Sequence, residues 1–257
     1  MKERAIKFLY AIDCYLLYLL SGVVASAGVV IYYSITAARD YDISDSAEFV
    51  DYISSFVSGK ASVALLVSYL IVVFVMLITF AILRKRLSAY TGLSYARPLS
   101  VIGAFLLGGV LNLIVYQVTP QSISADEEMS TLLFLCVMIG PVVEELMFRG
   151  VLLKMFGSAC GLFAASLITS GLFALSHSGS VQVIYTFVLG VILCSVRISS
   201  TSLWSAIALH ISFNLAGALF MVVSPSISDK GLVLLVVAAI LCFVVACGGG
   251  RKIAKES

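Results

Sequence analysis

Apolar residues follow one another in long runs, and short polar stretches separate the runs. Eight runs are present, at roughly residues 8–35, 61–83, 99–119, 131–155, 161–178, 181–196, 202–223 and 231–247. Because about 20 apolar residues cross a bilayer as an α-helix, each run is a candidate span. The fifth and sixth runs are short and lie close together, so a seven-span or re-entrant arrangement stays open there. We predict an all-α, polytopic transmembrane helical bundle of about eight spans, with residues 1–257 forming a single integral membrane domain.

Composition excludes several other classes of protein. The 257 residues are 61% hydrophobic and only 12% charged, with a mean hydropathy of +1.11. Soluble domains carry about 25% charged residues, so a water-soluble enzyme, a disordered chain and a coiled coil are all ruled out. The net charge of +2 is too small to indicate nucleic-acid binding. The six cysteines form no CxxC pair and are expected to be small apolar packing residues.

The positions of Lys and Arg predict which side of the membrane each loop occupies. Basic residues flank the ends that we place in the cytoplasm, namely Lys2, Arg4, Lys7, Arg84, Lys85, Arg86, Arg97, Lys154, Arg197, Arg251, Lys252 and Lys255. The opposite loops are acidic or neutral, including the longest connection, residues 36–60, and Asp126 to Glu128. Both termini are therefore expected in the cytoplasm. Ala25 to Ala27 resembles a signal-peptide cleavage site, but the long apolar region before it favours an uncleaved anchor.

Charged residues inside the fourth run are the most informative anomaly. Glu144, Glu145 and Arg149 stand in an otherwise apolar helix, where each charge costs about 2.5–3.5 kcal/mol. Glu145 and Arg149 are four residues apart and can pair on one helical face. Glu144 points about 100° away from Glu145 and has no cation four residues on, which suits a general base. Gly140 and Pro141 can bend the helix just before the pair, which would expose backbone carbonyls and admit water.

The only two histidines of the chain, His177 and His210, lie in later apolar runs. Phe173 precedes the first by four residues, and Asn214 follows the second by four. The spacing places His210 and Asn214 on one helix face, where both could donate to an oxyanion. Straight helices would put the glutamates and the histidines at different depths, so we expect tilt or a bend near Pro141 to close the gap. Gln182 and Asn112 are expected to serve in packing or in hydrogen bonds between helices.

Other chemistries have weaker support in the sequence. Two His and two Glu could bind zinc, but no HExxH motif is present. A serine protease is disfavoured because Ser170 and Gly171 lack the first glycine of a GxSG pattern, and Cys136 and Cys194 have no local support as nucleophiles. A proton-coupled transporter could use the same carboxylates, although no repeat between the halves is evident.

Three short motifs together resemble those of the CAAX-processing and bacteriocin-processing (CPBP) membrane proteases. Glu144 to Arg149 resembles that family's EExxxR motif, Phe173 to His177 its FxxxH motif, and His210 to Asn214 its HxxxN motif. The resemblance covers roughly residues 131–220, which would form the catalytic core.

The resemblance implies glutamate-dependent peptide hydrolysis in an all-α membrane fold. Glu144 with His177 would activate water, and His210 with Asn214 would stabilise the oxyanion. Glu145, Arg149 and Phe173 would support the site structurally.

We therefore predict a glutamic intramembrane endopeptidase that cleaves a peptide or a membrane-associated protein, in a bacterial cell membrane. The expected partners are this substrate and the lipid bilayer, with no nucleic acid, no metal and no cofactor. The alternative is a non-catalytic immunity or regulatory partner protein that keeps the same motifs. The sequence specifies neither the substrate, nor whether it is prenylated, nor the oligomeric state.

Topology can be tested with reporter fusions or cysteine labelling after residues 50, 90 and 125. The charge asymmetry predicts outside, inside and outside at these positions, with both termini inside. An inside signal after residue 50 would contradict the eight-span arrangement.

Overall fold

A computed structural model describes residues 2–40, 46–58, 60–82, 91, 93, 97–119, 134–177, 179–223 and 225–248. These residues form helices and connecting turns, with no strand among them. The helices before the glutamates are α1 (Lys2–Asp40), α2 (Ser46–Ser58), α3 (Ala61–Ile82) and α4 (Pro98–Val118). Next comes a continuous helix that alternates between two geometries, and we call residues 135–160 the composite helix. The last helices are α7 (Leu162–Leu175), α8 (Ser180–Ser200), α9 (Leu203–Val223) and α10 (Asp229–Cys247).

Helix length and apolarity support an integral membrane protein. Within the described residues, five helices are long and apolar enough to cross a membrane: Glu3–Arg39, Pro98–Val118, Ser180–Ser200, Leu203–Phe220 and Asp229–Cys247. Helix α7 (Leu162–Leu175) is shorter, and a further apolar stretch, Ser62–Ile78, lies within α3. Where they are described, all eight apolar runs are helical except for a few residues at their ends, at positions 119, 161, 176, 177 and 202. The all-helical fold is thus confirmed, while the count of eight spans stays a prediction.

Several charged residues used to predict the orientation lie outside the described part of the chain. They are Arg84, Lys85, Arg86, Asp126, Glu127, Glu128, Arg251, Lys252 and Lys255. The placement of the termini in the cytoplasm therefore stays a prediction as well.

The first connection contains a helix that the apolar runs did not predict. The sequence indicated an acidic outer loop over residues 36–60, but α1 continues to Asp40 and α2 occupies most of the remainder. Helix α2 has 13 residues, too few to span a bilayer, so a search for long apolar runs passes over it. Its Phe56 ring lies 6.1 Å from the Tyr33 ring of α1. Aromatic packing therefore holds α2 against α1.

The composite helix departs from ordinary α-helical geometry on both sides of the glutamates. It consists of π1 (Leu135–Ile139), α5 (Gly140–Glu145), π2 (Leu146–Leu152) and α6 (Leu153–Cys160). In π1 the Gly140 N–H donates to the carbonyl of Leu135, five residues back. In π2 the Leu153 N–H likewise donates to the carbonyl of Phe148. Such π segments are rare and often lie at functional sites.

The composite helix lies at the centre of the helical bundle. Phe148, Leu152 and Phe156 on this helix are fully buried, and so are Phe173 of α7 and Leu193 of α8. From α1, Tyr15 donates its hydroxyl to the Leu172 carbonyl of α7 at 3.1 Å. Helix α3 packs against α1 and the first part of the composite helix, whereas α9 packs against α4 and the composite helix. The composite helix therefore contacts both α3 and α9 near the glutamates.

Glycines allow α4 to approach its two neighbours closely. A methyl group at Gly108 would collide with the Leu209 carbonyl of α9. A methyl group at Gly103 would lie 2.7 Å from a side-chain carbon of Val245 on α10. The close approach matters to the site, because Leu209 immediately precedes His210.

We predict that Gly108→Ala destabilises the protein, since backbone atoms of α9 cannot move aside as a side chain can. Overpacking of this kind costs about 1–3 kcal/mol, which exceeds the gain of up to about 1 kcal/mol from replacing a helical glycine by alanine. Thermal unfolding in detergent measures the loss.

Gly171→Ala is the matched control, because no atom lies within 4 Å of a methyl group at that helical position. Equal stability of Gly108→Ala and Gly171→Ala would contradict the close contact between α4 and α9.

Candidate active site

The carboxylate of Glu145 is the centre of the buried polar cluster. This residue is fully buried, at the end of α5. Its Oε1 accepts a hydrogen bond from Arg149 Nη1 at 2.8 Å and another from His210 Nδ1 at 2.9 Å. The pair of Glu145 and Arg149 predicted from their spacing is therefore present. One carboxylate oxygen thus connects the composite helix to α9.

Arg149 makes further contacts that tie the cluster to α7 and α8. Its Nη2 donates to the Gly190 carbonyl of α8 at 3.2 Å. Its guanidinium carbon lies 4.4 Å from the centre of the Phe173 ring, within the range of a cation–π interaction. The Arg149 side chain is fully buried, so its charge depends on these partners and on Glu145 rather than on water.

The hydrogen bond to Glu145 determines which nitrogen of His210 carries a proton. A carboxylate can only accept, so His210 Nδ1 is the donor. In the neutral imidazole the other nitrogen, Nε2, then has a free lone pair. This Nε2 lies 3.8 Å from Oε2 of Glu144. Glu145 therefore orients His210 so that its second nitrogen faces the other glutamate.

Glu144 is the more accessible of the two glutamates. Its side chain is 18% exposed, against 0% for Glu145. The two carboxylates sit on adjacent residues but point to different surroundings, as their angular separation of about 100° requires. Glu145 is fixed within the protein, whereas Glu144 can be reached from outside the cluster.

His177 lies at the end of α7, not within it as the apolar run predicted. Helix α7 ends at Leu175, and Gly179, with φ +95°, leads into α8. His177 Nδ1 lies 2.9 Å from the Phe173 carbonyl; because a carbonyl only accepts, this nitrogen donates and caps the helix end. In the neutral imidazole, the half-buried His177 then has a free lone pair on Nε2.

The Phe173 ring lies between the two histidines. Its centre is 4.8 Å from the His177 ring and 5.5 Å from the His210 ring, and both contacts are edge-to-face. With Arg149 on the same ring, Phe173 contacts three of the polar side chains of the site. No hydrogen bond or ion pair joins His177 to Glu144 among the described residues. The predicted cooperation of these two residues therefore stays a prediction.

Asn214 bonds to a backbone carbonyl that Pro141 leaves free. Its Nδ2 donates to the Cys136 carbonyl at 3.0 Å. In the register of π1, that carbonyl would accept from the N–H of residue 141, but proline has none. The sequence predicted that a bend near Pro141 would expose carbonyls, and Asn214 satisfies one of them. The amide of Asn214 has a second N–H, which can still donate to another group.

The cluster combines charges that balance when His210 is protonated. Two carboxylates, Glu144 and Glu145, then face two cations, Arg149 and His210. Such balance reduces the cost of burying charge, which is high for unpaired groups. A protonated His210 donates through both nitrogens, towards Glu145 and towards the side of Glu144. The arrangement can hold a base and a hydrogen-bond donor side by side.

The structure brings most of the predicted site residues together. Glu144, Glu145, Arg149 and His210 form one cluster, with Phe173 against it. The depths that straight helices would misalign agree here, since Glu145 and His210 are in direct contact. Among the described residues, no group of three or more His, Cys, Asp or Glu is arranged to hold a metal ion.

Sequence reasoning missed the backbone partners of the cluster. The carbonyls of Gly190 and Cys136 accept from Arg149 and Asn214, and a backbone group has no signature in a motif. Only the proline five residues after Cys136 could have indicated a free carbonyl there.

Comparison with known families gives one match. Residues 127–216 match the family model described as Rce1-like, type II CAAX prenyl endopeptidase Rce1-like. The match covers about a third of the chain and includes every predicted site residue, from Glu144 to Asn214. It leaves α1 to α4 and α10 outside. No curated protein and no solved structure matches the chain.

We predict that Arg149→Ala lowers the folded yield, because it removes the cation from a fully buried Glu145. Breaking a buried pair costs about 3–5 kcal/mol. The double variant Glu145→Gln with Arg149→Met should recover folded protein better than either single change. Size-exclusion chromatography in detergent measures the folded yield of the wild type, the two single variants and the double variant.

Arg39→Ala serves as the control, since Arg39 is exposed in the last turn of α1. Additive losses of the two single changes would show that Glu145 and Arg149 do not interact energetically.

Proposed function

We propose that this chain, which belongs to the CPBP family of membrane proteases through residues 127–216, is an intramembrane endopeptidase with Glu144 as its catalytic base. The observation that carries the proposal is the hydrogen bond from His210 to Glu145. It fixes His210 with its second nitrogen towards Glu144, the partly exposed carboxylate. A fixed imidazole beside an accessible carboxylate is the arrangement that general acid–base chemistry requires.

In this proposal Glu144 removes a proton from a water molecule, and the hydroxide attacks the carbonyl carbon of the scissile peptide bond. The C–N bond then breaks, and the proton on Glu144 passes to the departing amine. His177 supports the first step, because its free Nε2 can accept a hydrogen bond from the same water. No side chain forms a covalent bond to the substrate, and no metal takes part.

His210 and Asn214 have the complementary role of stabilising the oxyanion. Protonated His210 can donate from Nε2. Asn214 contributes the N–H that the Cys136 carbonyl does not use. Removing one oxyanion donor typically lowers the rate about 10²–10³-fold. Glu145, Arg149 and Phe173 hold these groups in place.

The family match and the membrane location indicate which substrate class to test first. The matched family is described as a CAAX prenyl endopeptidase, so a lipidated C-terminal peptide is the first substrate to test. A matched pair of fluorogenic peptides tests whether cleavage requires the lipid group. Both end in the same CAAX sequence, and only one carries an S-farnesyl group on its cysteine.

We predict that Glu144→Gln abolishes cleavage while peptide binding persists, because the amide keeps the shape of the side chain but cannot take a proton. Chelators should leave the wild-type activity intact, as should reagents directed at serine and cysteine. Turnover of the two peptides by purified protein in detergent, together with binding by fluorescence anisotropy, provides the measurement.

Arg39→Ala is again the control, for losses of activity that arise during purification rather than from the change at Glu144. Activity that vanishes with a chelator and returns with zinc would contradict the proposal and support a metal site. A Glu144→Gln protein that keeps its biological effect without cleaving any peptide would instead favour a non-catalytic partner protein.

A further inference from the structure

Tyr69 of α3 lies directly over the helix that carries the two glutamates. A methyl group at Gly140 would come within 2.5 Å of the Tyr69 hydroxyl and 3.2 Å of the ring carbon that bears it. Only a residue without a side chain allows this approach. The Tyr69 hydroxyl therefore rests on the backbone of α5 at Gly140, one helical turn before Glu144.

Gly140 belongs to a stripe of residues that follow one another at intervals of four. The stripe consists of Cys136, Gly140 and Glu144, and residues four apart share a helix face. From α9, Asn214 meets it at the Cys136 carbonyl and His210 meets it at Glu144. Tyr69 of α3 meets the same stripe at Gly140. Polar groups from α3 and α9 thus border one face of the composite helix, on which Cys136 is exposed, Gly140 is buried and Glu144 is partly exposed.

The Tyr69 hydroxyl is unpaired within the described part of the chain. The side chain is half-buried, and its hydroxyl makes no hydrogen bond to another described residue. It lies within electrostatic range of both the Glu144 carboxylate and the Cys136 thiol. A donor that is already placed and unused can bind an oxygen without first breaking a bond inside the protein.

We propose that the Tyr69 hydroxyl is a third hydrogen-bond donor of the site and binds the carbonyl oxygen of the substrate beside Glu144. The inference rests on the proposed peptidase activity. It adds a catalytic residue outside the family-matched segment, since Tyr69 precedes residue 127.

The geometry of the other donors explains why a further donor is useful. One N–H of Asn214 is occupied by the Cys136 carbonyl. His210 donates from Nε2 only when it is protonated, because its Nδ1 proton is bound to Glu145. The phenol of Tyr69 donates in its neutral form and depends on neither condition.

The test compares Tyr69→Phe with wild type on whichever of the two CAAX peptides the wild type cleaves. Loss of one oxyanion donor should lower kcat about 10²-fold, while KM changes little. Tyr116→Phe is the matched control, because its half-buried ring packs against Phe220 at 5.9 Å, in the α4–α9 contact. That variant should keep the wild-type kcat.

Gly140→Ala provides a second route to the same donor. Its methyl group displaces the flexible end of Tyr69, and alanine favours the helix, so the hydroxyl moves without unfolding the protein. Gly140→Ala and Tyr69→Phe should each lower kcat, and the double variant should lose no more than Tyr69→Phe alone.

The outcomes separate this inference from the proposed function. A wild-type kcat in Tyr69→Phe, with Glu144→Gln inactive, overturns the role of Tyr69 and leaves the peptidase proposal standing. Fully additive losses in the double variant also overturn it. So does a larger loss in Tyr18→Phe, whose side chain also lies within range of Glu144. If the wild type cleaves neither peptide, both proposals fail.

Discussion

One oxygen of Glu145 accepts from both Arg149 and His210, and the rest of the site depends on that shared acceptor. In an apolar interior an ionised carboxylate is tolerated only when it is paired and hydrogen-bonded. Arg149 supplies the opposite charge from within the composite helix, and His210 supplies the second hydrogen bond from α9. Because both partners meet the same atom, neither the composite helix nor α9 can shift without breaking a buried bond. The position of His210 next to Glu144 follows from this constraint.

Pro141, placed just after π1, gives the composite helix a backbone contact that a helix without proline lacks. A regular α-helix presents its carbonyls to its own N–H groups and leaves none for neighbouring helices. Here Pro141 removes an N–H in the register of π1, and the Cys136 carbonyl bonds to Asn214 of α9 instead. The same helix therefore contacts α9 twice, through a side chain at Glu145 and through its backbone at Cys136. These two contacts hold the composite helix against α9 on both sides of Gly140.

Helices outside the family-matched segment contribute more than a membrane anchor. Tyr15 of α1 bonds to α7 through the Leu172 carbonyl, and the Tyr18 ring packs edge-to-face on Phe148 at 5.6 Å. Tyr69 of α3 rests on Gly140. Aromatic side chains of the first helices thus cover the side of the composite helix that α9 leaves open. A site built from the motif residues alone would lack these aromatic side chains.

Sequence alone determined the class of the protein and the chemistry-bearing residues. Long apolar runs dictate helices, because a bilayer leaves backbone groups no other partners. Charges and histidines inside those runs stand out because their burial is costly, which is why Glu144, Glu145, Arg149 and His210 could be identified, and Asn214 followed from its spacing of four from His210. The spacing of four residues also predicted the pair of Glu145 and Arg149, since that spacing is a local property of a helix.

Only the tertiary structure decided how these residues meet. The contact of His210 with Glu145 joins residues 65 positions apart, and no local periodicity encodes such a distance. The end of α7 before His177, the carbonyls of Gly190 and Cys136, and the place of Tyr69 over Gly140 all depend on helix packing. Helix α2 was missed because a short amphipathic helix is stabilised by what it packs against rather than by a long apolar run. Sequence patterns record burial and local helical spacing, whereas contacts between distant helices arise only when the whole bundle is assembled.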